Sequence, residues 1–383
     1  MKKTKNRNWL FSLLAAPVLL GLAVFWAATT VLTRAGEYAS ADDIIDKLTA
    51  TNGVYGPAVS LRVPAFKQRL YERVKPAAVA LGSSRIDQMQ AEDFSVPLVN
   101  LSGAESLDDV MRTSTTLFEK SKPEVLILSI DFWWFREDTT ATPEAAGPEK
   151  PGAAEILKVA SWYATGELQG NDTKAILSGK SPNIGIGGIL RGDGYNRSGA
   201  YIYTSLLTGA RPSPDAEFKT SLDDIAHGKG IYGWGDNISA AQWQKFTALL
   251  DFLQLHSITT ILLLPPVAPQ VLDAMTSSDK YGYVEGLRLK ISETAAAYRM
   301  TLFDDHDIRF AEGRDCEFIG GAHGGAVIYK RALLDMAVKD AGIRDKLNLP
   351  GIGWGIEHLK GQASTMAGEK DFLNLGCKKT TTP

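Results

Sequence analysis

Serine, histidine and carboxylate side chains in this chain are spaced so that they could meet. The segment VALGSSRIDQ, residues 79–88, passes from an apolar run into Gly82, Ser83, Ser84 and Arg85. A hydroxyl is a weak nucleophile until a base takes its proton and donors hold the developing oxyanion. A serine at a strand-to-helix turn gains backbone N–H groups aimed at its substrate, but it is equally a favoured helix N-cap. Both readings of Ser84 stand at this level.

A base must come from five histidines. His256 ends an amphipathic helical stretch before a strand and reads as structural. His227 and His358 sit in glycine-rich loops without a clear partner. His306 closes FDDHD, where Asp304, Asp305 and Asp307 suggest a metal site, but adjacent acids cannot all face one ion. No metal and no cofactor is expected. His323 lies in EFIGGAHGGAVIYK, a glycine-rich loop between the last strand and a long helix, which sets it near the top of a sheet.

A different kind of site is written in RGDGYNRSGAYIY, which gathers Arg191, Asp193, Tyr195, Arg197, Tyr201 and Tyr203; IYGWGD adds Tyr232 and Trp234. Aromatic faces stack on sugar rings, while Arg and Asp hydrogen-bond hydroxyls and carboxylates. Arg191, Tyr195, Arg197 and Trp234 are thus candidate glycan ligands, the alternative being a tyrosine-rich loop packed over the sheet. GIGGILRGDG lacks the third-glycine spacing and the preceding strand of a dinucleotide loop. DFWWFRED places aromatics after the third strand, for a core or for a site wall.

The elements that must position these residues are short apolar runs at 77–84, 97–103, 124–131, 259–266 and 300–306, separated by helical patterns. Ser106 reads as the cap of one such helix. Strands alternating with helices predict a doubly wound parallel five-stranded α/β sheet, covered on both faces, with its ligand at the carboxyl ends of the strands. Residues 136–240 break the alternation and read as a large insertion over those ends, longer than an ordinary connection.

The chain opens with MKKTKNRN, and residues Trp9 to Thr33 carry no charge. That run is long enough to cross a bilayer and longer than a secretory core, although a weak cleavage option exists near Ala39 to Ala41. The basic flank belongs in the cytoplasm, which places the body in the periplasm or its equivalent. The domain reading is residues 1–33 as stub and transmembrane anchor, 34–75 as a juxtamembrane connector, 76–345 as the α/β domain with its insertion, and 346–383 as a tail.

Past the anchor, 37 basic residues face 44 acidic ones, a net charge of −7, which excludes nucleic acid as a partner class. Cys316 and Cys377 are a pair that an oxidising compartment could join, and the sequence leaves both states open.

Taken in order, Gly-Ser-Ser after the first strand, Asn100-Leu101-Ser102-Gly103 after the second, Ser129-Ile130-Asp131 after the third and a histidine loop before the C-terminal helix resemble the four blocks of the SGNH/GDSL hydrolase superfamily. The chain is most similar to its membrane-anchored cell-envelope branch, which includes the D-alanine transfer protein of teichoic acid synthesis and the alginate acetylation proteins. The resemblance covers roughly 75–135 and 255–340. It implies an SGNH, flavodoxin-like fold, Ser84 as nucleophile, His323 as base, and the N–H groups of Ser84 and Gly103 in the oxyanion hole.

Two positions depart from the family. Asp131 stands where an Asn side chain donates to the oxyanion, and a carboxylate only accepts unless protonated. Gly320 stands where an Asp fixes the histidine; Asp315 could substitute if the loop folds back. In this branch Arg85 could hold an anionic substrate group. The implied activity is an acyl esterase or O-acyltransferase, acetyl being expected, on a cell-surface or exported polysaccharide, with a membrane-bound acyltransferase as partner. The rival is a catalytically inactive scaffold or glycan-binding protein of an envelope assembly complex.

Overall fold

The computed structural model describes residues 5–58, 63–139 and 151–377. Five apolar segments form strands: β1 (Ala78–Gly82), β2 (Leu98–Ser102), β3 (Val125–Ser129), β4 (Thr259–Leu264) and β5 (Thr301–Asp304). All pair in parallel in the order β2-β1-β3-β4-β5, one of the two common doubly wound orders. Every residue of β1, β2 and β3 is buried, as a sheet covered on both faces requires.

Side chains alternate across a strand, so one face of this sheet presents Ala78, Ala80, Val125, Ile127, Ile261, Leu263 and Phe303. That face packs on Tyr329, Leu333, Met336 and Ala337 of the helix Ala326–Lys339 and on Ile352 of the helix Leu349–His358. Ser106 caps the helix Leu107–Phe118, its hydroxyl accepting from the Asp109 N–H at 3.2 Å. The chain leaves β1 outward to β2 and returns across it to β3. The switch point where a doubly wound fold opens a crevice therefore lies between the ends of β1 and β3.

The chain divides into two compact units, with boundaries that composition did not reveal. The sheet unit runs from Lys67 to the end of the 136–139 segment and resumes at Ser198. The other unit combines the chain up to Phe66 with the part of the insertion that ends at Arg197. Its helix Lys5–Ala35 is followed by the helix Ala41–Thr51, where Ser40 and Asp43 form a reciprocal capping box. Ala28, Val31, Leu32 and Ala35 pack with Ile156, Val159, Leu168, Ile176 and Ile186 in a core of its own. One stretch of the first helix, Ala15–Ala35, is long and apolar enough to cross a membrane, with mean hydropathy 2.0.

Candidate active site at the β1–β3 switch point

The two serines after β1 divide the roles that the sequence left open. Ser83 is the cap: its hydroxyl accepts from the Arg85 N–H at 3.1 Å and starts the 3₁₀ turn Ser84–Ile86. Ser84 is relieved of that task and exposed. Its Oγ lies 2.9 Å from His323 Nε2. The sheet must close tightly here, because a Cβ on Gly82 would stand 2.5 Å from Ser129 Cβ.

His323 arrives on a short antiparallel pair, Phe318–Gly320 with His323–Gly324, that leads into the helix Ala326–Lys339. Burial, and secondarily the Arg85 charge, lower its pKa to about 4, while Asp215 works in the opposite direction. The imidazole is therefore neutral above that pH, the state in which it can take a proton from serine.

Beside Ser84, β2 ends at Ser102, in register with Gly82. The Ala104 N–H donates to Gly82 O at 2.9 Å and holds the loop after β2 against the end of β1. Gly103 between them is exposed and takes a φ of +105°, a conformation that favours glycine. Among the described residues nothing accepts its N–H.

Arg85 is withdrawn from solvent. It is 1% exposed, with Nε donating to Ala322 O at 2.9 Å and Nη1 to Asp131 Oδ1 at 3.2 Å. Nη2 donates to Pro265 O at 2.6 Å and Pro266 O at 2.7 Å. The guanidinium thus ties the turn after β1 to the loops after β3 and β4 and to the residue before His323. An arginine beside a serine reads as solvated; its acceptors come from loops far along the chain, so only the fold reveals its role.

Asp131 is equally buried and serves as counter-ion to Arg85 rather than facing a substrate oxygen. Burial raises its pKa, and Arg85 and Ser83 pull it part of the way back. Asp315 turns to the Gln270 N–H at 3.1 Å instead of folding back towards His323.

The acid beside the histidine loop is one that sequence reasoning passed over. Asp215 Oδ2 accepts from the Gly321 N–H at 2.8 Å and lies 3.3 Å from where a Cβ on Gly320 would be. A carboxylate from the insertion therefore stands against the position that lacks its own acid. Asp215 is itself held by the Ser221 N–H and hydroxyl, at 2.9 and 2.7 Å, and Tyr232 donates to that hydroxyl at 3.3 Å.

The remaining expected residues fall elsewhere. Arg191 is exposed, its Nε 3.7 Å from Asp193 Oδ2, Tyr195 pairs through its backbone with Tyr55, and Arg197 is exposed; all three belong to the N-terminal unit. Trp234 belongs to the sheet unit, where its Nε1 donates to Ile225 O at 2.9 Å and Lys280 covers its ring at 3.5 Å. After β3, Phe132, Trp134 and Phe135 are core, and Trp133 is half-buried near the Arg85 guanidinium. Cys316 and Cys377 form a disulfide, which joins the chain leading to His323 to the C-terminal segment. Among the described residues no group of three His, Cys, Asp or Glu side chains is placed to hold a metal.

No family model matches the chain, and neither does any curated protein or solved structure.

Proposed function

We propose that this chain is a membrane-anchored serine acyl esterase or O-acyltransferase of the SGNH type. It removes or transfers an acyl group, acetyl in the first instance, on a hydroxyl of an exported or cell-surface polysaccharide. The observation that carries this reading is the exposed Ser84 hydroxyl, 2.9 Å from a neutral imidazole at the switch point of a doubly wound sheet.

The steps follow from that geometry. Ser84 Oγ attacks the acyl carbonyl as its proton passes to His323 Nε2. The oxyanion is met by the N–H groups of Ser84 and Gly103. Collapse breaks the ester bond, and the imidazolium returns the proton to the departing sugar hydroxyl, leaving an acyl-serine. Water or a second hydroxyl then attacks the acyl-serine by the same path in reverse. Arg85 and Asp131 hold the loops in register, and Asp215 steadies the imidazolium. The N-terminal apolar helix and the disulfide favour a body outside the cytoplasm, anchored beside a membrane-bound acyl donor.

One observation favours the rival scaffold reading. Asp215 bonds the backbone of the histidine loop rather than the ring, and an imidazole with a pKa of about 4 is a weak base. A fluorophosphonate probe, with turnover of p-nitrophenyl acetate alongside it, separates the two. The enzyme forms a Ser84 adduct and loses both adduct and turnover in Ser84→Ala. A wild type without adduct, turning over no faster than Ser84→Ala, is a scaffold.

A further inference from the structure

Behind the end of β2 lies a buried cation that the acyl-transfer steps do not use. Lys67, on the helix Val63–Val74, is 4% exposed, and its Nζ donates to both Ser102 O and Ser102 Oγ at 2.7 Å. Ser102 Oγ in turn donates to Asp87 Oδ1, and Tyr203 donates to Asp87 Oδ2 at 3.2 Å. Asp87 also closes the turn that presents the serine, its N–H donating to Ser84 O at 3.1 Å. Asp87 is the charged group facing Lys67, with the Tyr203 phenol on its far oxygen.

We infer that Lys67 is a positioning residue for the oxyanion pocket: its ammonium fixes and polarises the Ser102–Gly103 peptide so that the Gly103 N–H faces the oxygen of the acyl group on Ser84. A trans peptide is planar, and its carbonyl and N–H point in opposite directions. The chain has no cis peptide among the described residues, so a Ser102 carbonyl drawn inward to Lys67 turns the Gly103 N–H outward. Gly103 is exposed, and among the described residues, its chain neighbours aside, no atom lies within 4 Å of where its Cβ would stand. A cation on the carbonyl oxygen also strengthens the N–H of the same amide as a donor, as linked hydrogen bonds polarise one another. Burial lowers the Lys67 pKa to about 8 against the pull of Asp87, so the charge that polarises the peptide is lost as the pH rises through that value.

This role rests on the acyl-transfer reading, and the experiment keeps the two apart. The full chain in detergent is labelled with ¹⁵N-glycine, and the Gly103 amide is followed from pH 6 to 10 in wild type, Lys67→Met and Lys67→Arg. Turnover of p-nitrophenyl acetate is measured on the same samples. The wild-type resonance titrates with a midpoint near 8. In Lys67→Met it does not titrate, and kcat falls by roughly tenfold or more with KM unchanged, short of the loss from deleting an oxyanion donor outright. Lys67→Arg, which keeps the charge, recovers part of kcat. A Gly103 resonance that behaves identically in wild type and Lys67→Met, or a kcat that Lys67→Met leaves intact, overturns the role alone. A wild type with no Ser84-dependent turnover overturns the acyl-transfer reading, and this role with it.

Discussion

His323 and His306 both stand at the carboxyl end of the sheet, and in both burial and the Arg85 charge hold the imidazole neutral. Their surroundings differ. His323 is half-buried and shares a hydrogen bond with an exposed serine hydroxyl. His306 is 2% exposed, packs edge-on against Phe132, and its Nε2 has no hydrogen-bond partner among the described residues. Near it Asp305 is also buried, its Oδ2 likewise without a partner among the described residues, and its pKa is raised to about 8 by burial and by Asp335. A displaced pKa is therefore common to both histidines and does not by itself mark a site. What sets His323 apart is that its ring reaches an exposed serine hydroxyl.

The contrast breaks most visibly in a pair of variants. His323→Ala lowers p-nitrophenyl acetate turnover by about 10²–10⁴-fold, the span of general acid–base catalysis, while His306→Leu leaves it unchanged. Equal losses in the two would dissolve the distinction between the two histidines.

A smaller effect comes from Asp215. Its charge raises the His323 pKa, so Asp215→Asn lowers that pKa further and moves the acid limb of the kcat/KM profile below pH 4. The plateau rate falls as well, by less than the loss in His323→Ala, because the imidazolium loses a nearby carboxylate. An acid limb that stays in place in the pH–rate profile shows that the carboxylate does not act on the ring.

The smallest effect belongs to Asp305, beside His306, and is read in stability. Asp305 has a folded pKa of about 8 against an unfolded value near 3.9. The fold favours its neutral form, so this group's contribution is complete below pH ~4 and is lost as the pH rises to about 8. Asp305→Asn escapes that loss. Its thermal midpoint exceeds that of wild type by a few degrees at pH 9 and by less at pH 5, and a gap independent of pH would mean that Asp305 is ionised throughout.

How much of this was legible beforehand depends on how local each signal is. The strands end within two residues of where the apolar runs give way to small and polar residues, because burial on both faces requires an uninterrupted run. The residues that follow each strand could therefore be named as candidates from type and order. Asp215 could not, since it is 106 residues from the Gly321 N–H that it holds and lies within the segment read as an insertion. The role of Arg85 is illegible for the same reason: its guanidinium is satisfied by Asp131, Pro265, Pro266 and Ala322, none of them near it in the chain. The disulfide partners were legible, because the chain has two cysteines; that they are joined, 61 residues apart, depends on geometry.

The N-terminal helix is apolar over more of its length than it leaves exposed. Its last two turns turn Ala28, Val31, Leu32 and Ala35, one continuous stripe, into the protein, whereas residues 15–27 are exposed throughout. Those exposed residues alone span only about 20 Å at 1.5 Å each, less than a hydrocarbon core of about 30 Å. Counting from Trp9 to Ala27, an uncharged helical stretch, gives roughly 28 Å. Were this helix to span a bilayer, its register would be set about two turns before its end, because its final turns belong to the core of the N-terminal unit. Cleavage near residue 40 would strip that unit of part of its own core.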